Sequence, residues 1–381
     1  MKKRLAAFAS ALVLIMTMFS TQVMAATQTE VDTEINQTAT YLAGELSGNL
    51  TIDKYRQVFL IGASTIDASS LITEYVNLVK ATPSTSLNIS QYGGIIMALK
   101  ASGIDPTNLD GRNLVTEFST ALNDPANSTF FTGYYGLGDS PYKLVYILSS
   151  LNGYKESIIN SNTHMTACKD ALLDFYDSVN SYFDYWGGTA DTDSKVIVGL
   201  KPFYDTSDSE IVTITNTAIT SIKTTIDSNF QSISCGGTST YPDPFFMSGA
   251  NPSSTGLVLL ALSTFGDSDV DNIYTGLIGF KVAATPGAYH SAWTNDPDPE
   301  YSTPDALEGL LAYSRYLSQG SSIYDLTSYT VAGAVETQVT PQTTVQNAPQ
   351  TGDATPYIFF ILLISAAGVF GITLRKKLRN I

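Results

Sequence analysis

Residues 251–269, NPSSTGLVLLALSTFGDSD, decide the fold. A proline sits beside the start, hydroxyls crowd the first turn, and an apolar run follows that has no polar side. A Gly/Asp-rich turn ends it. A helix that is apolar all round must be buried. The pattern returns in SQYGGIIMALKASGIDP (90–106), DSPYKLVYILSSLNGY (139–154), DTDSKVIVGLKPFYD (191–205) and STPDALEGLLAYSRYL (302–317). Ser90, Asp139, Asp193, Ser253 and Thr303 are expected as N-caps, because Ser, Thr and Asp side chains accept from free N–H groups of the first turn. Proline near such a start loses a hydrogen bond that the helix does not need.

More amphipathic segments lie between these runs, at 111–123, 166–183, 209–228 and 269–280. Upstream, VDTEINQTATYLAGEL (31–46) puts Val31, Ile35, Ala39, Leu42 and Leu46 on one helical stripe. Helices are also expected over 53–63 and 67–80. Six inner helices, counting 53–63, then alternate with six outer ones, counting 31–46. Repeats of this size stack, each burying its apolar face against its neighbours. The expected fold is all-α, an α/α toroid in which a ring of inner helices is wrapped by outer ones.

Two stretches carry a family resemblance. ALKASGIDPTNLDGRNLVTEF (98–118) and DALEGLLAYSRYLSQGSSIYDL (305–326) resemble the prenyltransferase/squalene-cyclase repeat of toroidal α/α proteins, over about 30–326. The resemblance implies the toroid. It does not imply one activity, because the same ring carries cyclases, transferases and cobalamin carriers.

The ends of the chain give an address. Lys2, Lys3 and Arg4 precede the apolar stretch 5–19, and Val23 and Ala25 suit cleavage after Ala25, so 1–25 is expected to be a signal peptide. At the other end the apolar run 357–374 is just long enough to span a bilayer and is followed by Arg375, Lys376, Lys377 and Arg379. Ala348, Pro349, Gln350, Thr351 and Gly352 stand before it. In that order they resemble the sortase-sorting signal of Gram-positive surface proteins, with Ala348 where the usual form has Leu. The resemblance implies cleavage between Thr351 and Gly352 and attachment of Thr351 to peptidoglycan, with the membrane touched only through the transient span. The domain plan is therefore signal peptide 1–25, toroid 26–328, Thr/Gln-rich tether 329–347 and sorting signal 348–381.

Removing 1–25 and 352–381 takes seven of the 20 basic residues and one of the 35 acidic ones, leaving 13 against 34 and a net charge of −21. Such a chain repels phosphate backbones, so no nucleic-acid partner is expected. The cysteines are two, Cys168 and Cys235, and export permits a disulfide between them. In SCGGT (234–238), Thr238 stands where an internal thioester needs Gln. GDSDVDN (266–272) begins like a calcium loop, but Ile278 occupies the position of the closing Glu. No Cys/His cluster has zinc spacing, and no metal or cofactor is expected.

In a toroid the loops before the inner helices form the rim of a central cleft, the natural ligand site. Four of these loops gather aromatic and acidic residues. They place Tyr134, Tyr135, Trp186, Asp191, Asp193, Phe245, Phe246, His290 and Trp293 as candidate ligand-binding residues. ADTDS (190–194) resembles the Asp-x-Asp-Asp of class II terpene cyclases, with Ser194 in place of the third acid. If the protein is an enzyme, Asp191, Asp193 and His290 are its candidate catalytic residues. The incomplete acid motif and the missing zinc set favour a wall-anchored, extracellular module that binds a small ligand, a glycan or a neighbouring surface protein without catalysis. The alternatives are an enzyme of cyclase-like or glycan-cleaving type working in the cleft, and a corrinoid carrier that needs a separate lid domain.

Overall fold

The computed structural model describes residues 25–132, 140–185, 190–233, 249–292 and 294–331. The expected signal peptide apart from Ala25, most of the expected tether, the expected sorting signal and the apolar run 357–374 lie outside these residues. Among the described residues no helix is long and apolar enough to cross a membrane.

The helices run α1 (Gln28–Leu46), α2 (Tyr55–Ala63), α3 (Ser69–Ala81), α4 (Ile89–Ala101), α5 (Leu114–Leu122), α6 (Pro141–Gly153) and α7 (Ser161–Leu173). A two-stranded antiparallel hairpin follows, β1 (Tyr176–Asp177) and β2 (Tyr182–Phe183). Then come α8 (Ala190–Gly199), the short α9 (Lys201–Asp205), α10 (Ser209–Thr224), α11 (Pro252–Phe265), α12 (Val270–Ile278) and α13 (Ser302–Leu317).

The apolar runs become the inner ring. Helix α2 packs on α4, α4 on α6, α6 on α8, α8 on α11, α11 on α13, and α13 closes back on α2. Leu257 to Leu262 of α11 are all buried, as is Ser302 to Tyr313 of α13. The outer layer bears one apolar stripe per helix. Helix α1 buries Val31, Ile35, Ala39, Leu42 and Leu46, the stripe that its sequence sets out. Helix α5 rests on α4, α7 on α6, α10 on α8, and α12 bridges α11 and α13. The expected all-α toroid is therefore present.

The caps fall elsewhere than expected. Asn88 caps α4 and Asn251 caps α11, each accepting from the backbone N–H three residues on. Ser90 and Ser253 lie inside the helices, because an asparagine two residues upstream takes the role first. Thr303 lies inside α13, which has no side-chain cap bond. The displaced hydroxyls work sideways. The Ser253 Oγ donates to Asp305, and Thr303 Oγ1 accepts from Tyr289 N at 3.1 Å. Asp139 lies outside the described residues, and Ser140 stands at the start of α6.

Helices α11 and α13 touch backbone to backbone. A Cβ on Gly309 would lie 2.3 Å from the Gly256 carbonyl oxygen, and one on Gly256 would lie 2.5 Å from the Asp305 carbonyl oxygen. Backbone cannot step aside as a side chain can. Gly309→Ala is expected to cost on the order of 1–3 kcal/mol by overpacking. Urea denaturation checks this; an unchanged midpoint would mean that the contact is looser than it stands here.

After α13 the chain turns under the ring. Ile323, Tyr324, Leu326 and Tyr329 are buried. Tyr324 stacks on Phe59 with ring centroids 5.7 Å apart and on Tyr146 at 6.1 Å. Cys168 is a free, fully buried thiol and not half of a disulfide. Its Sγ donates to the Leu144 carbonyl at 3.4 Å, and burial raises its pKa beyond the usual thiol range. Cys235 lies outside the described residues.

Candidate active site

Inner helices of one ring share a direction, so their first turns meet. The side chains that gather there come from the starts of five helices: Arg56 of α2, Tyr142 of α6, Asp191 of α8, Ser253 and Ser254 of α11, and Asp305 of α13. Helix N-termini carry partial positive charge, which suits acidic groups at this end.

Asp191 lies at its centre. Its Oδ1 is shut off from solvent and has no hydrogen-bond partner among the described residues. Burial raises its carboxyl to about 7; a Ser254 hydrogen bond works against the rise, and the charge of Asp305 adds to it. Tyr142, itself well above the ordinary phenol range through burial, feels the Asp191 charge directly. Near neutral pH this carboxyl therefore holds its proton about half the time. A carboxyl in that state can give a proton to a bound ligand.

Beneath it lies a buried ionic chain. One Arg56 nitrogen, Nη2, donates to Asp305 Oδ1 and, at 2.7 Å, to Glu308 Oε2. Asp305 also accepts from Ser253. The Lys195 ammonium donates to Glu308 Oε1 and meets the Tyr324 hydroxyl. It lies 4.8 Å from the centre of the Tyr146 ring and 4.9 Å from that of Tyr324. Lys195 is 1% exposed and Glu308 is fully buried. Burial opposes ionisation of Glu308, but Lys195 and Arg56 outweigh it and hold the carboxyl below its usual range. Burial drives the Lys195 ammonium down to about 8, against the pull of Glu308.

Asp193 does not share the Asp191 environment. Two residues along a helix turn a side chain to nearly the opposite face. Asp193 accepts from Phe183 N at 2.6 Å and so ties the hairpin to α8. It lies inside α8 rather than at an N-cap, and among the described residues no hydrogen bond joins it to Asp191. Burial raises its carboxyl to about 7, against hydrogen bonds from Phe183 and Ser221. The folded value lies above the unfolded one, so its contribution to stability is complete below about pH 4 and is lost as pH rises through 7. A difference of about three pH units is worth at most about 4 kcal/mol. Wild-type protein should be less stable at pH 8 than at pH 5, and Asp193→Asn should lose less across that window. Urea denaturation at both pH values checks this; equal losses would contradict the assignment.

His290 is half-buried in the connection before α13. Its Nδ1 lies 2.9 Å from the Ser291 carbonyl, and its ring meets Phe280 edge-on at 5.1 Å. Among the described residues no hydrogen bond or ion pair joins it to Asp191 or Asp193. Neighbouring Asp298 accepts from Glu300 N, Tyr301 N and Ser302 N and thereby organises the start of α13. Tyr134, Tyr135, Trp186, Phe245, Phe246 and Trp293 lie outside the described residues. Among the described residues no group of three or more His, Cys, Asp or Glu could hold a metal ion.

Sequence reasoning passed over Arg56, Lys195, Asp305, Glu308 and Tyr324. The available signal was a charge on an otherwise apolar helix: Lys195 before VIVG, and Asp305 and Glu308 within DALEGLLA. It also passed over Tyr301, an exposed ring at the entry to α13.

No family model matches this chain, and no curated protein matches it. Among solved structures it is similar to a possible member of the GH105 family from Salmonella enterica subsp. enterica serovar Paratyphi A. The TM-score is 0.51 and the identity 12%, over 77% of this chain and 95% of that one. At such identity the likeness shows the shared toroid alone.

Proposed function

We propose that the toroid cleaves glycans, with Asp191 as the general acid. The observation that carries this reading is the Asp191 carboxyl, which stands where the inner helices begin with one oxygen shut off from solvent and unpartnered among the described residues. The likeness in fold to a possible member of a glycoside hydrolase family supports the same alternative over the non-catalytic module that the sequence put first. In the reaction the Asp191 proton passes to the glycosidic oxygen as the bond from that oxygen to the sugar carbon breaks. Water supplies the new hydroxyl at that carbon, and its second proton restores the acid. Tyr301, exposed at the entry to α13, would offer a flat face for a sugar ring. The test is incubation of the toroid with peptidoglycan fragments and host-type oligosaccharides, read by mass spectrometry. Shorter saccharides support the reading, and an unchanged panel at pH 5 to 7 opposes it.

The address remains part of the proposal. The protein is exported and joined to the Gram-positive wall through Thr351, with sortase and peptidoglycan as partners. Thr351→Ala should leave the protein in the membrane fraction; wild-type release by muramidase would defeat this reading.

A further inference from the structure

The ring has a second end, where the inner helices finish. Between Asn152, Gly199 and Thr264, in the last turns of α6, α8 and α11, lies a cavity of about 410 Å³. That volume lies within the range of ligand pockets, about 300–1,000 Å³. Asp191 and Gly199 stand at opposite ends of α8, about 12 Å apart along its axis. The cavity is therefore distinct from the cleft around Asp191.

The segment 320–327, which follows α13, forms one wall. Tyr324 fixes that wall from within. Its hydroxyl meets Lys195, and its ring stacks on Phe59 and Tyr146. The cavity is thus preformed, which spares a ligand the cost of ordering the segment.

The lining selects a class of ligand. Among the described lining residues Lys155 and Lys201 balance Asp205 and Asp325, so this cavity is neutral in a chain of net charge −15. Lys201 is bonded to Asp205 within α9. The Lys155 ammonium and the Asn152 amide have no hydrogen bond among the described residues. Asp325 uses Oδ1 on Thr327, accepting from N at 3.0 Å and from Oγ1 at 2.6 Å, and its Oδ2 accepts from none of the described residues. One small volume is therefore bordered by an open donor, an open acceptor and an amide that does both. The last carbonyls of a helix lack partners within it, so this end of the ring is further supplied with acceptors. Of the described lining residues, Val198, Pro202 and Tyr324 alone bring largely apolar side chains, too few to hold a lipid. A sugar hydroxyl both donates and accepts, and such a mixed, uncharged lining suits it on every side.

We propose that this cavity is a second, non-catalytic site, for an uncharged saccharide held by Asn152, Lys155 and Asp325. It is independent of cleavage at Asp191, so the failure of either reading leaves the other standing.

The experiment is a calorimetric titration of the full chain with cellobiose, maltose and N,N′-diacetylchitobiose, with digalacturonic acid as the charged control. At least one neutral disaccharide should bind. Asn152→Ala and Asp325→Asn should each weaken it about tenfold, the effect of one hydrogen bond lost. Ser321→Trp, at an exposed position on the wall, should fill the cavity and abolish binding there. Asp191→Asn should leave the affinity of this site unchanged. A saccharide that also fills the cleft should bind twice to wild type and once to Ser321→Trp. Should Ser321→Trp fail to fold, Asn152→Ala decides. No binding of any neutral disaccharide, stronger binding of digalacturonic acid, or affinity and stoichiometry untouched by the cavity variants would overturn the proposal.

Discussion

Glu308→Ala should destabilise the toroid by about 3–5 kcal/mol, the largest stability effect expected of a single side chain in this ring. The loss comes less from attraction forgone than from what remains. Two cations face Glu308, and among the described residues Lys195 has no other carboxylate bonded to it. With Glu308 gone, Lys195 keeps the Tyr324 hydroxyl and two aromatic faces, which cannot neutralise it. Its ammonium, already near 8, should shed its proton in response. A domain is stable by roughly 5–15 kcal/mol, so the variant should unfold much earlier in urea. Glu308→Gln keeps the acceptor oxygen and should lose less. The pair Glu308→Met with Lys195→Met removes both desolvated charges and should recover most of the loss, since an apolar replacement of a buried pair is often neutral. A Glu308→Ala midpoint within error of wild type would mean that the chain of charges is solvated in solution.

The ring was legible because its signal is repeated. Six apolar runs with polar breaks of similar length leave one economical way to bury them, and the outer stripe on 31–46 reappears residue by residue in α1. Start positions were less legible. Asn88 and Asn251 compete for the cap with the serines two residues later, and sequence does not say which wins.

Of the proposed site, Asp191 was legible in the sequence. Its companion Asp193 follows two residues later, a spacing that reads as a pair on paper and as opposite faces on a helix. His290 reads as an acid/base group and is held against Ser291 and Phe280. Arg56 is far in the chain from Asp305 and Glu308, and only closure of the ring between α13 and α2 joins it to them. No local window contains that contact.

Asp191→Asn should lower glycan cleavage by about 10²–10⁴-fold, the usual contribution of a general acid. The amide has nearly the shape of the acid, so folding and saccharide binding should persist. What disappears is the proton. The wild-type rate should hold below pH 7 and fall about tenfold per pH unit above it, because the active form is the protonated one and its midpoint is about 7. A variant that binds but does not cleave separates chemistry from recognition, which a truncation to Ala would not.

The most direct measurement is saccharide release at pH 6 by wild-type toroid and by Asp191→Asn, side by side on the same glycan panel, with binding followed by thermal shift. A catalytic Asp191 predicts cleavage by wild type, at least a hundredfold loss in the variant, and a shared thermal shift on the saccharide that wild type cleaves. Equal cleavage by both proteins, or binding by both with cleavage by neither, would contradict it.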